Sequence, residues 1–256
     1  MKIRAILTDL DGTLLQPDGS ALPEIRTALA AAHRAGIPVC PVTSKTVPEL
    51  LALRRELGLA DPAGFENGAG VLERDGRCLL GDRAVPYDDL LGSLEFVRRR
   101  SGAPVSGLHE LDDLELAALT KLPIEALWAV RERRATLPLV VDPAWDDGLV
   151  AALPEQPATR LVRGNRFLHF QGRHDKADVV GMLLNRVTGR TGLVVALGDA
   201  PNDAGLLAAA EVAVIIPNAK GPHPDLVARF PNARVAPRPH GRGWADIVLE
   251  MMEQVG

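Results

Sequence analysis

The chain has 256 residues, of which 46% are hydrophobic and 24% are charged, and its formal net charge is −4. These values indicate a soluble globular protein that can bury a core without disulfides. The negative net charge argues against a general nucleic-acid or membrane-surface binder, because either would favour a basic face. No window approaches about 18 uninterrupted apolar residues and no secretory signal is visible, so we predict a cytoplasmic protein without a membrane partner.

Short apolar runs alternate with amphipathic runs in the N-terminal part of the chain. In chain order these runs predict a strand, a helix, a strand and a helix, over residues 3–8, 22–34, 37–42 and 47–57. This order indicates a parallel sheet that is covered by helices. Ligands bind such sheets at the carboxyl ends of the strands, where Asp9, Asp11 and Thr43 would lie.

The same alternation returns near the C-terminus. Helices are predicted over residues 176–187, 201–209 and 243–254, and strands over residues 193–197 and 212–216. In the middle, helix-like runs (90–100 and 124–134) precede strand-like runs (137–141, 158–162 and 166–170). We therefore predict two halves of one sheet domain, residues 1–83 and 171–256, separated by an α+β insertion over residues 84–170.

The strongest chemical signal is the segment Asp9-Leu10-Asp11-Gly12-Thr13 at the end of the first predicted strand. Two carboxylates at this spacing can take separate roles: one attacks phosphorus, and the other protonates the leaving oxygen and later activates water. Gly12 allows a sharp turn and a close approach to a ligand. The alternative is an ordinary polar junction between strand and turn, which the apolar strand before it and the Gly-Thr after it disfavour.

Three further segments complete the candidate site. Asp199, Asn202 and Asp203 offer the oxygen ligands that Mg²⁺ prefers, although helix N-termini are also often rich in Asp and Asn. The segment Thr43-Ser44-Lys45-Thr46 combines hydroxyls, helix-start amides and an ammonium, which suits a phosphate but also an ordinary helix cap. Lys176 can neutralise the oxygens of a transferring phosphoryl group, or it can simply face water.

These four segments, in this order, resemble the four motifs of the haloacid dehalogenase superfamily, and the resemblance covers essentially the whole chain. Within that superfamily the chain is similar to the mannosyl-3-phosphoglycerate phosphatase family. Further matching pieces are Glu66-Asn67-Gly68, Arg131-Glu132, Gly164-Asn165-Arg166-Phe167-Leu168-His169 and Gly241-Arg242-Gly243-Trp244. The chain departs from the family where Arg133-Arg134-Ala135 replaces an aromatic and acidic stretch, and where Ala177 replaces a usual glycine.

The resemblance implies an α/β fold, with a Rossmann-like parallel-sheet core, helices on both faces and an inserted α+β cap. It implies that Asp9 is the nucleophile and Asp11 the acid/base, assisted by Thr43 and Lys176. The implied Mg²⁺ ligands are Asp9, Asp11, Asp199, Asn202 and Asp203. The implied substrate contacts are Ser44, Lys45, Glu66, Asn67, Gly68, Arg131, Arg166 and His169.

The substrate implied by the resemblance is a small phosphorylated sugar acid, mannosyl-3-phosphoglycerate or glucosyl-3-phosphoglycerate. Inward-facing cap arginines would bind its carboxylate, because guanidinium forks match carboxylates; the candidates are Arg131, Arg133, Arg134 and Arg166. A general sugar phosphatase or a phosphomutase of the same superfamily is the alternative. A non-catalytic binding protein is disfavoured, because such a protein would be expected to have lost one of the carboxylates. The sequence does not predict an oligomeric state.

Overall fold

The computed structural model describes residues 2–102, 104–141, 158–163, 167–187, 189 and 191–255. These residues form a core of sheet and helices, which both ends of the chain build, and a smaller cap with a sheet of its own. No helix in these ranges is both long enough and apolar enough to cross a membrane.

A parallel sheet of five described strands forms the centre of the core. The strands are β1 (Ile3–Thr8), β2 (Val39–Pro41), β10 (Leu193–Gly198), β11 (Val212–Ile215) and β12 (Arg234–Val235). They lie in the order β12-β11-β10-β1-β2, so β1 is flanked by β10 and β2. The segments that follow these three strands therefore leave the same edge of the sheet side by side.

Helices cover both faces of this sheet, as predicted. One face carries α1 (Pro23–Arg34), α2 (Val47–Leu57) and α9 (His240–Val255), and the other carries α6 (Val180–Arg186), α7 (Ala204–Ala208) and α8 (Pro224–Arg229). Strand β1 is apolar on both sides, because Ile6 packs with the helices on the first face of the sheet and Leu7 packs with the helices on the second face. Trp244 of α9 donates from Nε1 to the Thr8 hydroxyl at 2.9 Å, which fixes the end of β1.

A capped helix start holds the loop between β2 and α2. The Thr46 amide donates to the Glu49 carboxylate at 2.9 Å, and the Glu49 amide donates to the Thr46 hydroxyl at 3.4 Å. This reciprocal capping box fixes where α2 begins. The predicted phosphate-binding residues Thr43, Ser44 and Lys45 are thus held between a sheet strand and a capped helix.

A small antiparallel sheet follows α2, which the sequence patterns did not predict. Its strands are β3 (Ala63–Phe65), β4 (Gly70–Leu72) and β5 (Cys78–Leu80). The connection between β3 and β4 contains Glu66, Asn67 and Gly68 with φ values of 46°, 60° and 87°. We call these three residues the left-handed turn; its first two members are unusual, because residues with a Cβ rarely adopt this conformation.

The cap contains a sheet and three α-helices among its described residues. Strands β6 (Val105–Gly107), β7 (Thr136–Val141), β8 (Thr159–Arg163) and β9 (Leu168–Gly172) are antiparallel in the order β6-β7-β9-β8. The helices are α3 (Tyr87–Ser101), α4 (Asp113–Thr120) and α5 (Leu127–Arg131). The limits of the insertion, residues 84–170, stay a prediction; β9 continues to Gly172.

Two predicted helices differ in extent from those in the structure. Helix α6 begins at Val180 rather than Lys176, because the Asp175 carboxylate accepts the Ala177 amide at 2.7 Å and shapes a turn before the helix. The predicted helix over residues 124–134 becomes a 3₁₀ turn followed by α5, which ends at Arg131. Helix α4 and strand β6 were not predicted at all.

Candidate active site

The aspartates of the two main motifs meet at the carboxyl edge of the core sheet. Asp9 follows β1, and Asp199 follows the neighbouring strand β10. Gly12 has a φ of 87°, and a Cβ at this position would lie 2.5 Å from Asp199 Oδ2, so the site requires glycine here. The Thr13 hydroxyl donates to Asp199 Oδ1 at 2.7 Å, which ties together two segments 186 residues apart.

Lys176 lies between two of these carboxylates. Its Nζ is 2.5 Å from Asp9 Oδ1 and 2.5 Å from Asp203 Oδ1, and the residue is 1% exposed. Burial lowers the pKa of this ammonium, but the two carboxylates outweigh burial and raise its pKa above its ordinary value. Lys176 therefore stays a cation. Asp9 Oδ2 accepts no hydrogen bond from the described residues, and Asp9 lines a cavity.

Negative charge exceeds positive charge at this edge of the sheet. The four aspartates of the two motifs face two ammonium groups, Lys176 and Lys45, and Lys45 Nζ lies 2.9 Å from Asp11 Oδ1. Burial raises the pKa of the Asp9 carboxyl well above its ordinary value; Lys176 opposes this shift, and the neighbouring aspartates add to it. A bound divalent cation would offset the surplus carboxylate charge.

The oxygen atoms around this surplus charge fit a divalent metal ion. One carboxylate oxygen from each of Asp9, Asp199 and Asp203 lies within 4.8 Å of the others. Asn202 Oδ1 is buried without a hydrogen-bond partner among the described residues. Carboxylate and amide oxygens are the ligands that hard divalent cations prefer.

Asp203 already has a full set of partners within this cluster. Its Oδ2 accepts the amides of Asp199 at 2.9 Å and Ala200 at 3.0 Å, and its Oδ1 accepts Lys176. These bonds orient the loop that carries Asp199. Asp199 thus lies between Thr13 on one side and the Asp203-held loop on the other.

A cavity of about 110 Å³ opens beside Asp9, between the core and the cap. Its core side is lined by Asp9, Asp11, Asp18, Gly19, Ser44, Lys45, Glu49 and Asn202, and its cap side by Thr120, Leu122, Val130, Arg133, Phe167 and His169. This space is several times what one water molecule needs. Most of these side chains are polar or charged, and Leu122, Val130 and Phe167 add apolar surface, a lining that suits a polar small molecule.

His169 contributes a neutral imidazole to the cavity wall. The residue is 4% exposed, and burial, with help from the nearby Arg133 and Lys176 cations, lowers its pKa from 6.5 to about 3. Its Nδ1 is buried and has no hydrogen-bond partner among the described residues. A neutral imidazole can both donate and accept a hydrogen bond, which suits a sugar hydroxyl.

The buried His169 predicts that acid destabilises the protein. The unfolded chain binds a proton near the ordinary pKa of 6.5, whereas the folded His169 does so only near 3, so stability falls as the pH falls below 6.5. Between pH 7 and pH 5 the expected loss is about 2 kcal/mol from this residue. Urea unfolding of the metal-free protein at both pH values measures it. The substitution His169→Gln should remove that part of the loss, and an unchanged pH dependence in this variant would contradict the assignment.

The three residues of the left-handed turn line no part of the cavity, although they were predicted to contact the substrate. Glu66 is buried, and its carboxylate accepts the cap backbone amides at the start of β7. Asn67 Nδ2 donates to Gln171 Oε1 of the cap at 3.1 Å. A Cβ at Gly68 would lie 2.1 Å from the Asp175 carbonyl oxygen. The turn thus joins the core to the cap.

Of the other predicted substrate contacts, the cavity lining includes Ser44, Lys45 and His169. Arg131 points elsewhere: its guanidinium donates to Asp113 Oδ1 at 2.5 Å and to the Leu111 carbonyl at 2.9 Å. Arg166 lies outside the described residues, and its role stays a prediction. Thr43, predicted to assist catalysis, is fully buried behind the lining, where its carbonyl accepts the Asn67 amide.

Sequence reasoning did not single out Asp18, Glu49 or Phe167 as cavity residues. Glu49 caps α2, a local role that explains its place in the sequence, so nothing in the sequence indicated that it also lines the cavity. Asp18 precedes Gly19, a pair that indicates only a turn. Phe167 was noted only within the resemblance, as part of a cap segment. Nothing in the local pattern distinguishes these side chains from their neighbours.

Comparison with known proteins finds hydrolases that are similar to this chain. Residues 6–105 match the haloacid dehalogenase-like hydrolases. A glucosyl-3-phosphoglycerate/mannosyl-3-phosphoglycerate phosphatase from Persephonella marina is 25% identical, with 98% of this chain and 97% of the relative covered. A phosphatase of the same name from Methanococcoides burtonii is 28% identical, with 96% of each chain covered.

The fold is shared with solved haloacid dehalogenase-like proteins. One such hydrolase from Bacteroides thetaiotaomicron superposes with a TM-score of 0.73 at 19% identity, over 98% of this chain and 99% of the other. The predicted α/β fold class and the predicted family resemblance are both confirmed. The matched segment and the full-length similarity to two phosphatases show that the chain is similar to the haloacid dehalogenase-like hydrolases, which agrees with the predicted phosphoric monoester hydrolase.

Proposed function

We propose that the enzyme hydrolyses mannosyl-3-phosphoglycerate or glucosyl-3-phosphoglycerate to glycosylglycerate and phosphate, through an aspartyl phosphate on Asp9. The observation that carries the proposal is the pairing of two features across one cavity. Asp9, with Lys176 beside it, lines the core side of this cavity, and Arg133 lines the cap side. The two similar phosphatases carry these substrates in their names.

The reaction follows from the positions of Asp9 and Asp11. Asp9 Oδ2 attacks phosphorus while the bond to the ester oxygen breaks, and Asp11 gives that oxygen a proton so that the sugar acid leaves as an alcohol. Lys45, 2.9 Å from Asp11, stabilises the carboxylate that this transfer leaves behind. Water then attacks the aspartyl phosphate, Asp11 takes up its proton, and phosphate and the Asp9 carboxylate are released. Lys176 remains charged throughout and stabilises the phosphoryl oxygens.

Mg²⁺ is the cofactor that we propose for this site. Asp9, the Asp11 backbone carbonyl and Asp199 would hold it, with Asn202 and Asp203 in support. The surplus carboxylate charge and the unpartnered Asn202 Oδ1 support this assignment. Such an ion supplies positive charge that offsets the repulsion between Asp9 and an approaching phosphate.

Arg133 supports a substrate that carries a second anion. The Arg133 guanidinium lines the cavity and forms no ion pair with any carboxylate of the described residues. Arg131 does not share this property, because Asp113 already neutralises it. A phosphoglycerate ester has a carboxylate besides its phosphate, and Arg133 Nη2, which donates no hydrogen bond to the described residues, can donate a charge-assisted hydrogen bond to it.

A simple hexose phosphate is the second candidate substrate, because Asp18 and Glu49 also line the cavity and carboxylates bind sugar hydroxyls. The test compares kcat/KM for mannosyl-3-phosphoglycerate, glucosyl-3-phosphoglycerate and glucose 6-phosphate. We expect kcat/KM for the glycosyl-phosphoglycerates to be at least about tenfold higher than for glucose 6-phosphate, because one additional charge-assisted hydrogen bond contributes a preference on the order of tenfold. If the hexose phosphate is preferred, the substrate assignment is wrong and the phosphatase assignment stands.

The variant Arg133→Ala tests the residue behind this preference. It should lower kcat/KM for the glycosyl-phosphoglycerates by roughly ten- to a hundredfold, and that for an aryl phosphate far less, because the aryl ester lacks the carboxylate. The neighbouring Arg134 is exposed and lies outside the cavity lining, so Arg134→Ala is a matched control. Equal losses in both variants would argue against a specific role for Arg133.

A further inference from the structure

Glu66 binds the cap through its side chain. Its carboxylate accepts four hydrogen bonds there: Oε1 accepts the Arg134 amide at 2.8 Å, and Oε2 accepts the Ala135 amide at 2.9 Å and both the amide and the hydroxyl of Thr136 at 2.8 Å. A carboxylate offers about four acceptor positions, so Glu66 is saturated by the cap. The residue is fully buried.

The backbone of the left-handed turn binds the predicted phosphate segment on the core side. The Glu66 amide donates to the Lys45 carbonyl at 3.0 Å, and the Asn67 amide donates to the Thr43 carbonyl at 2.8 Å. Glu66 has a φ of 46°, a left-handed conformation that a residue with a Cβ keeps only where the surroundings impose it. One residue therefore connects the segment beside Asp9 to the start of β7.

Thr136 carries this connection to the cavity. Its hydroxyl has a single proton, which goes to Glu66 Oε2, so its oxygen is left to accept Arg133 Nη1 at 3.0 Å. The same Nη1 donates to the Ser44 carbonyl at 3.1 Å, and Arg133 Nε donates to the Val130 carbonyl at 3.2 Å. These bonds fix the plane of the guanidinium and leave Nη2 without a hydrogen bond to the described residues.

We propose that Glu66, acting through Thr136, is the positioning residue that holds Arg133 over the site to bind the substrate carboxylate. This inference rests on the proposed function, since it requires a substrate with a carboxylate beyond its phosphate. Glu66 touches no substrate in this scheme. It sets the orientation of Arg133 relative to the segment that contains Ser44, so the distance between the two anion sites is determined by one core residue.

We call the hydrogen bonds from Arg133 to Thr136 and from Thr136 to Glu66 the relay. The variant Thr136→Val tests the relay with little change in the shape of the side chain. It removes the hydroxyl between Glu66 and Arg133 but keeps the Thr136 amide that bonds Glu66. We expect KM for the preferred glycosyl-phosphoglycerate to rise about tenfold with a much smaller change in kcat, and kcat/KM for an aryl phosphate to change by less than about threefold. Thr159→Val, at a buried threonine of the same cap sheet, should change neither substrate's constants.

A double-mutant cycle with Arg133→Ala distinguishes positioning from general damage to the cap. If Thr136 acts through Arg133, the double variant should lose no more than Arg133→Ala alone, within about twofold. Losses that multiply, or a Thr136→Val loss that is equal for both substrates, would overturn the relay. Glu66→Gln should show the same substrate-selective loss if it folds; Thr136→Val carries the test if it does not.

The failure of this inference can be told apart from that of the proposed function. If Arg133→Ala lowers kcat/KM for the aryl phosphate and the glycosyl-phosphoglycerate equally, Arg133 does not bind the substrate carboxylate. The proposed substrate recognition and the relay are then both wrong. If Arg133→Ala is selective but Thr136→Val is silent, the proposed recognition stands and the relay is wrong.

Discussion

Asp9→Asn should reduce phosphate release by at least about 10⁴-fold while leaving the fold intact. An amide at this position cannot attack phosphorus, and Asp9 lines the cavity with Oδ2 accepting no hydrogen bond from the described residues. Steady-state release of phosphate from an aryl phosphate, with Mg²⁺ present, measures the loss. Asp11→Asn should instead slow both the formation and the hydrolysis of the intermediate, because its proton transfer serves both steps.

The stability of Asp9→Asn provides the control for this result. Burial disfavours the charged form of Asp9, and the Lys176 ammonium keeps its second partner, Asp203, at 2.5 Å. The neutral, similarly shaped amide should therefore give a Tm at pH 7 that is equal to or above that of the wild type. Substantial turnover by a folded Asp9→Asn protein would refute the role of Asp9 as nucleophile.

Removal of divalent metal should lower activity by at least about 10³-fold, and Mg²⁺ should restore it. Without a bound cation, four aspartates face two ammonium groups beside the position where the phosphate must approach. The experiment is dialysis against a chelator, followed by titration with Mg²⁺. Full activity in excess chelator would exclude the proposed cofactor role.

Metal binding can also be measured without turnover. Because a ligand that binds only the folded state stabilises it, Mg²⁺ should raise the Tm of the wild-type protein in a concentration-dependent way. Asp199→Asn should require at least about tenfold more Mg²⁺ for the same rise, since it removes one of the three clustered carboxylates that would bind the ion. Asp246 of α9 pairs with Arg238 and lies outside the cluster, so Asp246→Asn should titrate like the wild type.

The sequence predicted the candidate site at the carboxyl edge of the core sheet because the residues of this site directly follow strands. Asp9 and Asp11 follow an apolar run that is long enough for one buried strand, and a parallel sheet brings such ends together without any knowledge of the rest of the fold. The same logic placed Thr43 and Asp199 beside them, on the two strands that flank β1. Lys176 was foreseen as a cation near the phosphate, but its helix starts later than the periodicity indicated, since Asp175 caps a turn there.

The residues on the cap side of the cavity were harder to predict from the sequence. Contacts between residues far apart in the chain determine which cap side chains line the cavity, and sequence spacing does not indicate these contacts. Four cap arginines were candidates for the substrate carboxylate, and the resemblance implied Arg131 and Arg166 among the substrate contacts. In the structure Asp113 neutralises Arg131, whereas Arg133 lines the cavity. Arg133 stands where the resembled family has a different residue pattern, so the resemblance gave no guidance either. Which guanidinium is free depends on the distant partners that the folded cap brings to each one.

Glu66 illustrates most clearly the difference between what the sequence predicts and what only tertiary contacts decide. The sequence by itself determined a motif-like Glu66-Asn67-Gly68 segment and the candidate carboxylates at the strand ends, because strand ends, turn glycines and carboxylate spacing act over a few residues. Only the tertiary structure decided that Glu66 bonds residues 68 to 70 positions further along the chain, at the start of β7, rather than a ligand. A buried carboxylate takes whichever donors the packed backbone presents, and those donors exist only after core and cap have come together.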